Sequence, residues 1–499
     1  MKATNHPYRA LESRFRRLGL LQEASGFLSW DTDTMMPEGG AASRAEQQAA
    51  LDVVCHELLT GPVLPDLFAA AADETGLDPW QSANLREMRR EWLHATSVPA
   101  DLVEASSRAC SACEMAWRKA RPANDYASVR PLLQTVLDLT RRIGQAKAAK
   151  LGVSPYEALL DQFEPGGRVT DIDPLFARLS EILPGLIEDA LAAQAKRPAP
   201  QRPSGPFPVE AQRRAGHALM AKLGFDFAHG RLDVSQHPFS GGTPDDVRIT
   251  TRYDEDHFGR ALMAVLHETG HALYTGGLPA AWRFQPVGAA RGMSLHESQS
   301  LLMEMQLCRS REFLAVAAPV LRRCFNGSGP EWEAENLYRL GTRVERSLIR
   351  VDADEVTYPA HVILRYRLER AMIAGDLGLK DLPEAWNEGM KKLLGVTPPD
   401  DRRGCLQDIH WYDGGFGYFP TYTLGALTAA QLFDAAKRSS AVTQGIGRGD
   451  FAPLLAWLRA HVHGLGSSLS TAEIITRATG KKLDTAMFER HLRTRYLAA

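Results

Sequence analysis

The chain has 499 residues, of which 44% are hydrophobic and 24% are charged, so it can bury a large core. Its 58 basic and 60 acidic side chains give a net charge of -2, which excludes an overall basic field that would attract nucleic acid or an anionic membrane. No apolar run approaches the roughly 20 residues that span a bilayer.

Most of the chain carries apolar residues at three- and four-residue spacing, which predicts helices. The predicted helices cover residues 8–29, 40–60, 81–95, 100–121, 126–151 and 174–196, then 290 to about 393 and 421–437, with more helix in the remainder. A Pro-rich stretch at 197–208 cannot be helical and predicts an exposed loop. Because similar helical patterning resumes beyond this loop, we interpret residues 1–499 as a single, mainly α domain.

Residues 230–254 depart from the helical pattern. Leu232 and Val234 alternate with polar neighbours, and so do Val247 and Ile249, with a Gly- and Pro-containing stretch between the two runs. This pattern predicts a small antiparallel sheet immediately before the helix described next. An edge strand of such a sheet could pair with an extended peptide.

The six cysteines are sparse and irregularly placed. The first residues lack the apolar core of a signal peptide, so we expect a cytoplasmic protein with reduced thiols. Cys110 and Cys113 form an isolated C-x-x-C inside a predicted helix. Without a second pair, it does not predict a metal or redox site.

The run His-Glu-Thr-Gly-His at 267–271 has the form of half a zinc site. Side chains four residues apart lie on one face of a helix, so His267 and His271 could both reach one metal ion. Glu268 would lie beside them, close enough to accept a proton from an attacking water. The alternative is an ordinary amphipathic helix that carries two histidines, because so short a pattern also occurs by chance.

The neighbouring residues support a helix at this place. Asp254 and Asp256 are expected to supply a cap and early negative charge, and the Gly pair at 276–277 is expected to end the helix. Gly270 inside the helix costs about 1 kcal/mol relative to Ala. A glycine here is easier to explain if another segment must approach the helix closely.

A catalytic zinc site needs a third protein ligand, and Glu297 is the best candidate. It lies 26 residues after His271, which leaves room for a turn and a second helix. The alternative is that Ser294 and Glu297 form a capping box. Glu304, two turns later on the same face, is a second possible ligand.

The His-Glu-x-x-His run followed by His-Glu-Ser-Gln-Ser at 296–300 resembles the carboxypeptidase Taq family of metallocarboxypeptidases. Further segments match this family's pattern in the expected order over nearly the whole chain. They are Trp-Asp at 30–31 with Thr-Met-Met-Pro at 34–37, His-Pro-Phe at 237–239, Asp-Val-Arg-Ile-Thr at 246–250, Ile-Arg-Val-Asp-Ala-Asp at 349–354, Gly-Cys-Leu-Gln-Asp-Ile-His-Trp at 404–411 and Gly-Tyr-Phe-Pro-Thr-Tyr at 417–422.

The resemblance implies a largely helical fold with a deep active-site groove, similar to other helical zinc peptidases. It also implies His267, His271 and Glu297 as metal ligands and Glu268 as the general base. A homodimer, and a broad preference that excludes C-terminal proline, are implied by the resemblance alone. The chain departs from the family pattern at Tyr-Asp 412–413, where smaller residues are expected, and this departure puts the shape of that loop in doubt.

Charge that develops on the tetrahedral oxygen during hydrolysis needs hydrogen-bond donors. His237, His410, Tyr418 and Tyr422 all lie in segments that resemble the family motifs. The alternative for each is a packed aromatic ring or a satisfied core histidine. With the resemblance, we favour His410 and Tyr422 as groups that contact substrate.

A carboxypeptidase must recognise a terminal carboxylate, and the planar guanidinium of Arg suits this task. The resemblance points to Arg350 as the anchor, with Arg248 as a weaker second candidate. The alternative for either is a structural salt bridge, and Asp352 and Asp354 lie near Arg350 in sequence.

Four other polar residues in these segments are given supporting roles. His296 and Asp408 could orient the metal ligands through hydrogen bonds. Asp246 and Gln407 are interpreted as structural supports of the groove, without a chemical role.

The predicted function is a metallocarboxypeptidase that releases single residues from peptides with a free C-terminus. An oligopeptidase or dipeptidyl carboxypeptidase could use the same residues, and a binding protein with a degenerate site is a further alternative. Zinc suits two histidines and one carboxylate best, although cobalt or manganese could occupy the same site.

Overall fold

The computed structural model describes residues 6–497, and 68% of these residues are helical. The predicted mainly α fold is confirmed. The helices of the first half are α1 Pro7–Thr34, α2 Ala41–Thr60, α3 Leu64–Ala72, α4 Pro79–Thr96, α5 Ala100–Ala123, α6 Tyr126–Leu151, α7 Pro155–Leu160, α8 Val169–Ala195 and α9 Val209–Leu223. The sequence pattern missed α3 and α7, because helices of nine and six residues are too short to show a clear period.

The second half is also largely helical, and its longest predicted run is broken into several helices. They are α10 Phe258–Thr275, α11 Met293–Leu301, α12 Arg311–Phe325, α13 Ala334–Gly341, α14 Tyr358–Ala374, α15 Leu382–Leu394, α16 Pro420–Ala436, α17 Ser440–Arg448, α18 Ala452–His461, α19 Thr471–Thr479 and α20 Ala486–Tyr496. A π-helical turn, Leu302–Leu307, directly continues α11.

The Pro-rich loop between α8 and α9 lies mostly on the surface, as predicted. Phe207 is the exception, because only 3% of it is exposed. Its ring packs against Phe258, at the start of α10, and against Phe325 and Trp332. The loop is therefore attached to the helix that carries the two candidate histidine ligands.

Three short strands precede α10, namely β1 Gly230–Val234, β2 Ser240–Thr243 and β3 Asp246–Thr251. Their order is β1-β3-β2, with β2 antiparallel and β1 parallel to β3. The prediction of a purely antiparallel sheet was therefore wrong. Alternation shows which face of a strand is buried but not its direction. The Gly- and Pro-containing stretch between the two alternating runs was not predicted to contain a strand, although β2 lies there and pairs with β3.

Most buried apolar side chains belong to one continuous core that extends from α5 to α20. A smaller cluster joins α1, α3 and α4, and a third lies between β3 and α10. Helix α16 packs along α11 at the centre of the molecule, so α11 is covered by α10 on one side and by α16 on another. Within the described residues no single helix is long and apolar enough to cross a membrane, and one bent pair, Glu38–Thr60 with Leu64–Ala72, could do so by length and composition only.

Candidate metal centre

Helix α10 presents the His-Glu-Thr-Gly-His run from a largely buried position. The predicted cap was wrong: His257 is the N-cap, and it makes no side-chain capping bond. Asp254 instead accepts a hydrogen bond from the Asp256 N–H at 2.9 Å and shapes the turn before the helix. The helix ends at Thr275, with Gly276 at the C-cap, which agrees with the predicted stop.

Three predicted side chains converge on one point in the structure. One ligand atom each from His267, His271 and Glu297 lies within 4.8 Å of the others. Glu297 Oε2 is 3.8 Å from His267 Nε2 and 3.4 Å from His271 Nε2. Two imidazoles and one carboxylate at this spacing fit a divalent transition metal that keeps a coordination position open for water or substrate. The residues present therefore suit the metal that the sequence pattern predicts.

Glu297 reaches this point because α11 begins in an unusual way. The predicted alternative of a capping box does not form, since Ser294 lies inside the helix and Gly292 is the N-cap, with φ of 43°. The Ser294 N–H donates instead to the Glu164 carboxylate at 3.0 Å. Glu164 thus satisfies the start of α11 from a distant segment, and Glu297 remains available for the centre.

Gly270 explains how closely α10 and α11 approach each other. A Cβ at this position would overlap the backbone of α11, with Gln299 O and, at 2.6 Å, Ser300 Cα as neighbours. Gly425 likewise allows α16 to approach α11 closely from another side, because a Cβ at this position would lie 2.9 Å from the Glu297 side chain. The expectation that a segment approaches Gly270 is borne out.

Gly270→Ala is expected to lower the free energy of unfolding by about 1–3 kcal/mol, because a methyl group would have to push α11 away. Gly259→Ala is a matched control in the same helix, since a Cβ there meets nothing within 4 Å. The control is expected to be neutral or to stabilise the protein by up to about 1 kcal/mol. Chemical denaturation of both variants checks this, and equal stability of the two would contradict the close approach.

The two histidines each have a hydrogen-bond partner on the side away from Glu297. His267 Nδ1 lies 2.9 Å from Glu304 Oε2, and the other oxygen of Glu304 accepts from Arg309 at 2.6 Å. His271 Nδ1 lies 2.6 Å from His296 Nδ1. Glu304, predicted as a possible ligand, therefore orients a histidine instead, whereas His296 occupies the supporting place predicted for it.

Glu268 is 7% exposed and lies in the same turn as the two histidines. Burial raises its pKa above the usual range, and the two neighbouring imidazoles partly oppose this shift. The Glu268 side chain is thus buried close to His267 and His271, where the sequence pattern predicts it.

His410, Tyr418 and Tyr422 form an aromatic group beside the centre. His410 Nε2 is 3.2 Å from the Tyr422 hydroxyl, and the rings of Tyr418 and Tyr422 are 5.2 Å apart. Burial raises the pKa of Tyr422 to about 12, and burial with the nearby charge of Arg350 lowers the pKa of His410 to about 4. At neutral pH the phenol is therefore a donor and the imidazole is uncharged.

Arg350 is buried in a network of charges at the edge of this group. Its Nε and Nη2 donate to Asp408 Oδ1 at 3.0 and 2.9 Å, and its Nη1 lies 3.3 Å from the Tyr358 hydroxyl. The second oxygen of Asp408 accepts from Arg365 at 2.6 Å. The Arg350 guanidinium also lies 4.9 Å from the centre of the Tyr422 ring.

These contacts identify the salt-bridge partner of Arg350 and correct one prediction from the sequence. The acidic partner of Arg350 is Asp408, not Asp352 or Asp354, which are closer along the chain. The interpretation of Asp408 as a group that orients metal ligands is wrong, because both its oxygens bind arginines. Gln407 fits its predicted supporting role, since it accepts from the Arg350 N–H and donates to three backbone carbonyls.

The other two predicted substrate residues belong to the sheet region. Arg248 of β3 pairs with Asp246 at 2.6 Å and lies over the ring of Phe27 of α1. His237 lies in the exposed turn between β1 and β2. The structure therefore brings His410, Tyr418, Tyr422 and Arg350 together but leaves these two on the sheet side of α10.

The departure from the family pattern at 412–413 is accommodated away from the centre. Tyr412 is fully buried, its hydroxyl donates to the Cys405 carbonyl at 3.1 Å, and its ring stacks on Trp117 of α5. Asp413 is exposed. The larger residue thus fastens the loop to the neighbouring helix.

Comparison with known proteins agrees with this geometry. Residues 10–496 match the family described as carboxypeptidase Taq (M32) metallopeptidase. Thermostable carboxypeptidase 1 of Thermus thermophilus is 40% identical over 496 residues, which cover 97% of each chain, and that of Pyrococcus furiosus is 34% identical over 500 residues, which cover 99% of each. The solved structure of Trypanosoma cruzi metallocarboxypeptidase 1 is 40% identical, covers 99% of each chain and superposes with a TM-score of 0.96. The chain therefore belongs to the carboxypeptidase Taq (M32) family and is a metal-dependent peptide hydrolase of the carboxypeptidase type.

Proposed function

We propose that the enzyme removes single residues from peptide C-termini, with His267, His271 and Glu297 as metal ligands and Glu268 as general base. The observation that carries this proposal is the convergence of the two imidazoles and the Glu297 carboxylate within 4.8 Å of one another. Broad specificity and poor cleavage of C-terminal proline are part of the proposal and rest on family resemblance alone.

A divalent cation bound at this centre would polarise the scissile carbonyl and lower the pKa of water. Glu268 accepts the proton of the attacking water and later delivers it to the leaving amine. Its burial excludes bulk water, so the proton is passed between the carboxyl group and the reactants. The two carboxylates thus have different roles: Glu268 transfers a proton, and Glu297 remains a metal ligand throughout.

The phenol of Tyr422 is the best placed hydrogen-bond donor to the carbonyl oxygen, on which negative charge develops during hydrolysis. Its hydroxyl is protonated at neutral pH, and the uncharged His410 at 3.2 Å holds the orientation of the ring. Tyr418 packs against both rings and narrows the choice of conformations open to Tyr422. These residues therefore supply the donor role predicted for the aromatic group.

Arg350 is proposed to anchor the terminal carboxylate of the substrate. Its side chain lies beside Tyr422, Asp408 accepts from two of its nitrogens, and Nη1 lies 3.3 Å from the Tyr358 hydroxyl, so the guanidinium has a defined direction. Arg248 and His237 remain weaker candidates, as contacts for the substrate chain along the edge of β2. With its terminal carboxylate at Arg350, the substrate would have its last peptide bond near Glu268.

Zinc is the proposed metal, because two imidazoles and one carboxylate match its preferred catalytic set, with cobalt or manganese as alternatives. The six cysteines are all free, which fits the proposed cytoplasmic location. A homodimer is proposed from the family resemblance.

Metal removal and product analysis test the proposed function together. Protein treated with a chelator is expected to lose activity, and added zinc is expected to restore it, because no described residue replaces the metal's chemistry. Mass spectrometry of a defined peptide should then show the stepwise loss of one C-terminal residue at a time.

The same peptide with an amidated C-terminus is the control and is expected to be cleaved far more slowly. Loss of two residues in each step would favour a dipeptidyl carboxypeptidase, and internal fragments would favour an oligopeptidase. Full activity after complete metal removal would contradict the proposed metal centre.

A further inference from the structure

The π-helical turn at Leu302–Leu307 sets the position of the carboxylate that holds His267. The Cys308 N–H donates to the carbonyl of Met303, five residues earlier, at 2.8 Å. Such turns are rare, occur mostly as single turns inside α-helices, and are frequent at functional sites. Glu304 lies within it, so a change to regular α-helix would rotate Glu304 relative to Glu297 and away from His267 Nδ1.

Arg495 of α20 binds the end of this turn. The last carbonyls of a helix have no partner inside the helix. Arg495 donates from Nη1 to the Met305 carbonyl and from Nη2 to the Gln306 carbonyl, the latter at 3.0 Å. Its side chain is 8% exposed, so water cannot easily replace it. Without this guanidinium, two buried carbonyls would lose their partner.

Arg495 is itself held by a buried carboxylate. Glu355 is fully buried and accepts from Arg495 Nη1 at 3.1 Å and from the Tyr496 hydroxyl at 2.9 Å. Its other oxygen lies 2.6 Å from His491 Nε2 and 3.3 Å from the Gln306 amide. A buried charge that has several partners is fixed in place, because each alternative position would leave it unpaired.

We infer that α20 is a positioning element for the metal centre. Arg495 holds the π-helical turn, the turn places Glu304, and Glu304 orients His267 through its Nδ1. This inference rests on the proposed metal ligands. Arg495 is not one of the proposed metal ligands or substrate contacts, and its side chain binds Met305, Gln306 and Glu355, so it is a positioning residue and not a catalytic one.

The test compares the zinc affinity of the 499-residue protein with that of its variants, by competition with a chromogenic chelator. Arg495→Met is expected to weaken zinc binding by about tenfold, at the lower end of the loss seen when the outer partner of a metal ligand is removed. Arg493→Met is the matched control, because Arg493 lies on the same helix and its side chain pairs, among residues 6–497, with Glu489 at the surface. The control is expected to stay within about twofold of the wild type.

A double substitution separates positioning from a general loss of stability. Glu304→Gln alone is expected to weaken zinc binding by about 10–100-fold. If Arg495 acts through Glu304, adding Arg495→Met to Glu304→Gln should cause little further loss. Fully additive losses would overturn the inference. If Arg495→Met does not fold, Arg495→Lys decides. Lysine keeps the charge, but its single nitrogen cannot take the places of both Nη1 and Nη2, which bind the two carbonyls and Glu355, so this variant should still weaken zinc binding.

The outcomes also separate this inference from the proposed function. Wild-type protein that fails to bind zinc, cobalt or manganese would contradict the proposed centre itself. Wild-type protein that binds metal, with unchanged affinity in the Arg495 variants, would overturn only the role of α20.

Discussion

Glu268→Gln is expected to lower kcat by about 10²–10⁴-fold while the metal content stays at the wild-type level. The amide keeps the size of the side chain but cannot accept a proton from water. Because Glu268 is not one of the three side chains that converge as ligands, its replacement should leave the metal centre intact. Elemental analysis of the purified variant, together with initial rates on a free-acid peptide, checks both parts.

Glu297→Gln is the informative comparison for this prediction. It removes a charged ligand, so metal and activity should be lost together. If Glu268→Gln also lost its metal, the low rate would say nothing about proton transfer. A metal-loaded Glu268→Gln protein with near wild-type turnover would rule out its role as general base.

The sequence predicted the residues of the centre better than their surroundings. His267, Glu268 and His271 share one turn of helix, so a local pattern contains their geometry. Glu297 was also found, first as a candidate from its spacing and then by family resemblance, and the structure brings it to the same point. Gly270 was predicted to allow a close approach, and the backbone of α11 is the segment that approaches.

Partners that are distant along the chain could not be predicted in the same way. The alternative for Arg350 was a salt bridge with acidic residues nearby in sequence, yet its partner Asp408 is 58 positions away and is brought close only by packing. Glu304 has the spacing of a ligand, but in the structure it lies in a π-helical turn and is a partner of His267 Nδ1. Strand direction was missed for a related reason, because alternation is the same in parallel and antiparallel pairs.

Arg350→Met is expected to lower kcat/KM for free-acid peptides by about 100-fold or more, because a buried charge pair with the substrate carboxylate is lost. Amidated peptides lack that charge, so their slow cleavage should change little. The variant should fold, since Asp408 keeps Arg365 as a partner at 2.6 Å. The ratio of kcat/KM for free-acid and amidated forms of one peptide is the measurement.

The comparison with Arg248→Met decides between an anchor and a structural salt bridge. Arg248 is also paired with an aspartate, but it lies on the sheet. If Arg350 only stabilises the fold, its loss should lower the melting temperature and slow both peptides equally, which leaves the ratio unchanged. If it binds the terminal carboxylate, the ratio should collapse in Arg350→Met and persist in Arg248→Met. If the ratio instead collapsed in Arg248→Met and persisted in Arg350→Met, the carboxylate anchor would be Arg248 on β3. The substrate would then have to bind in the opposite direction.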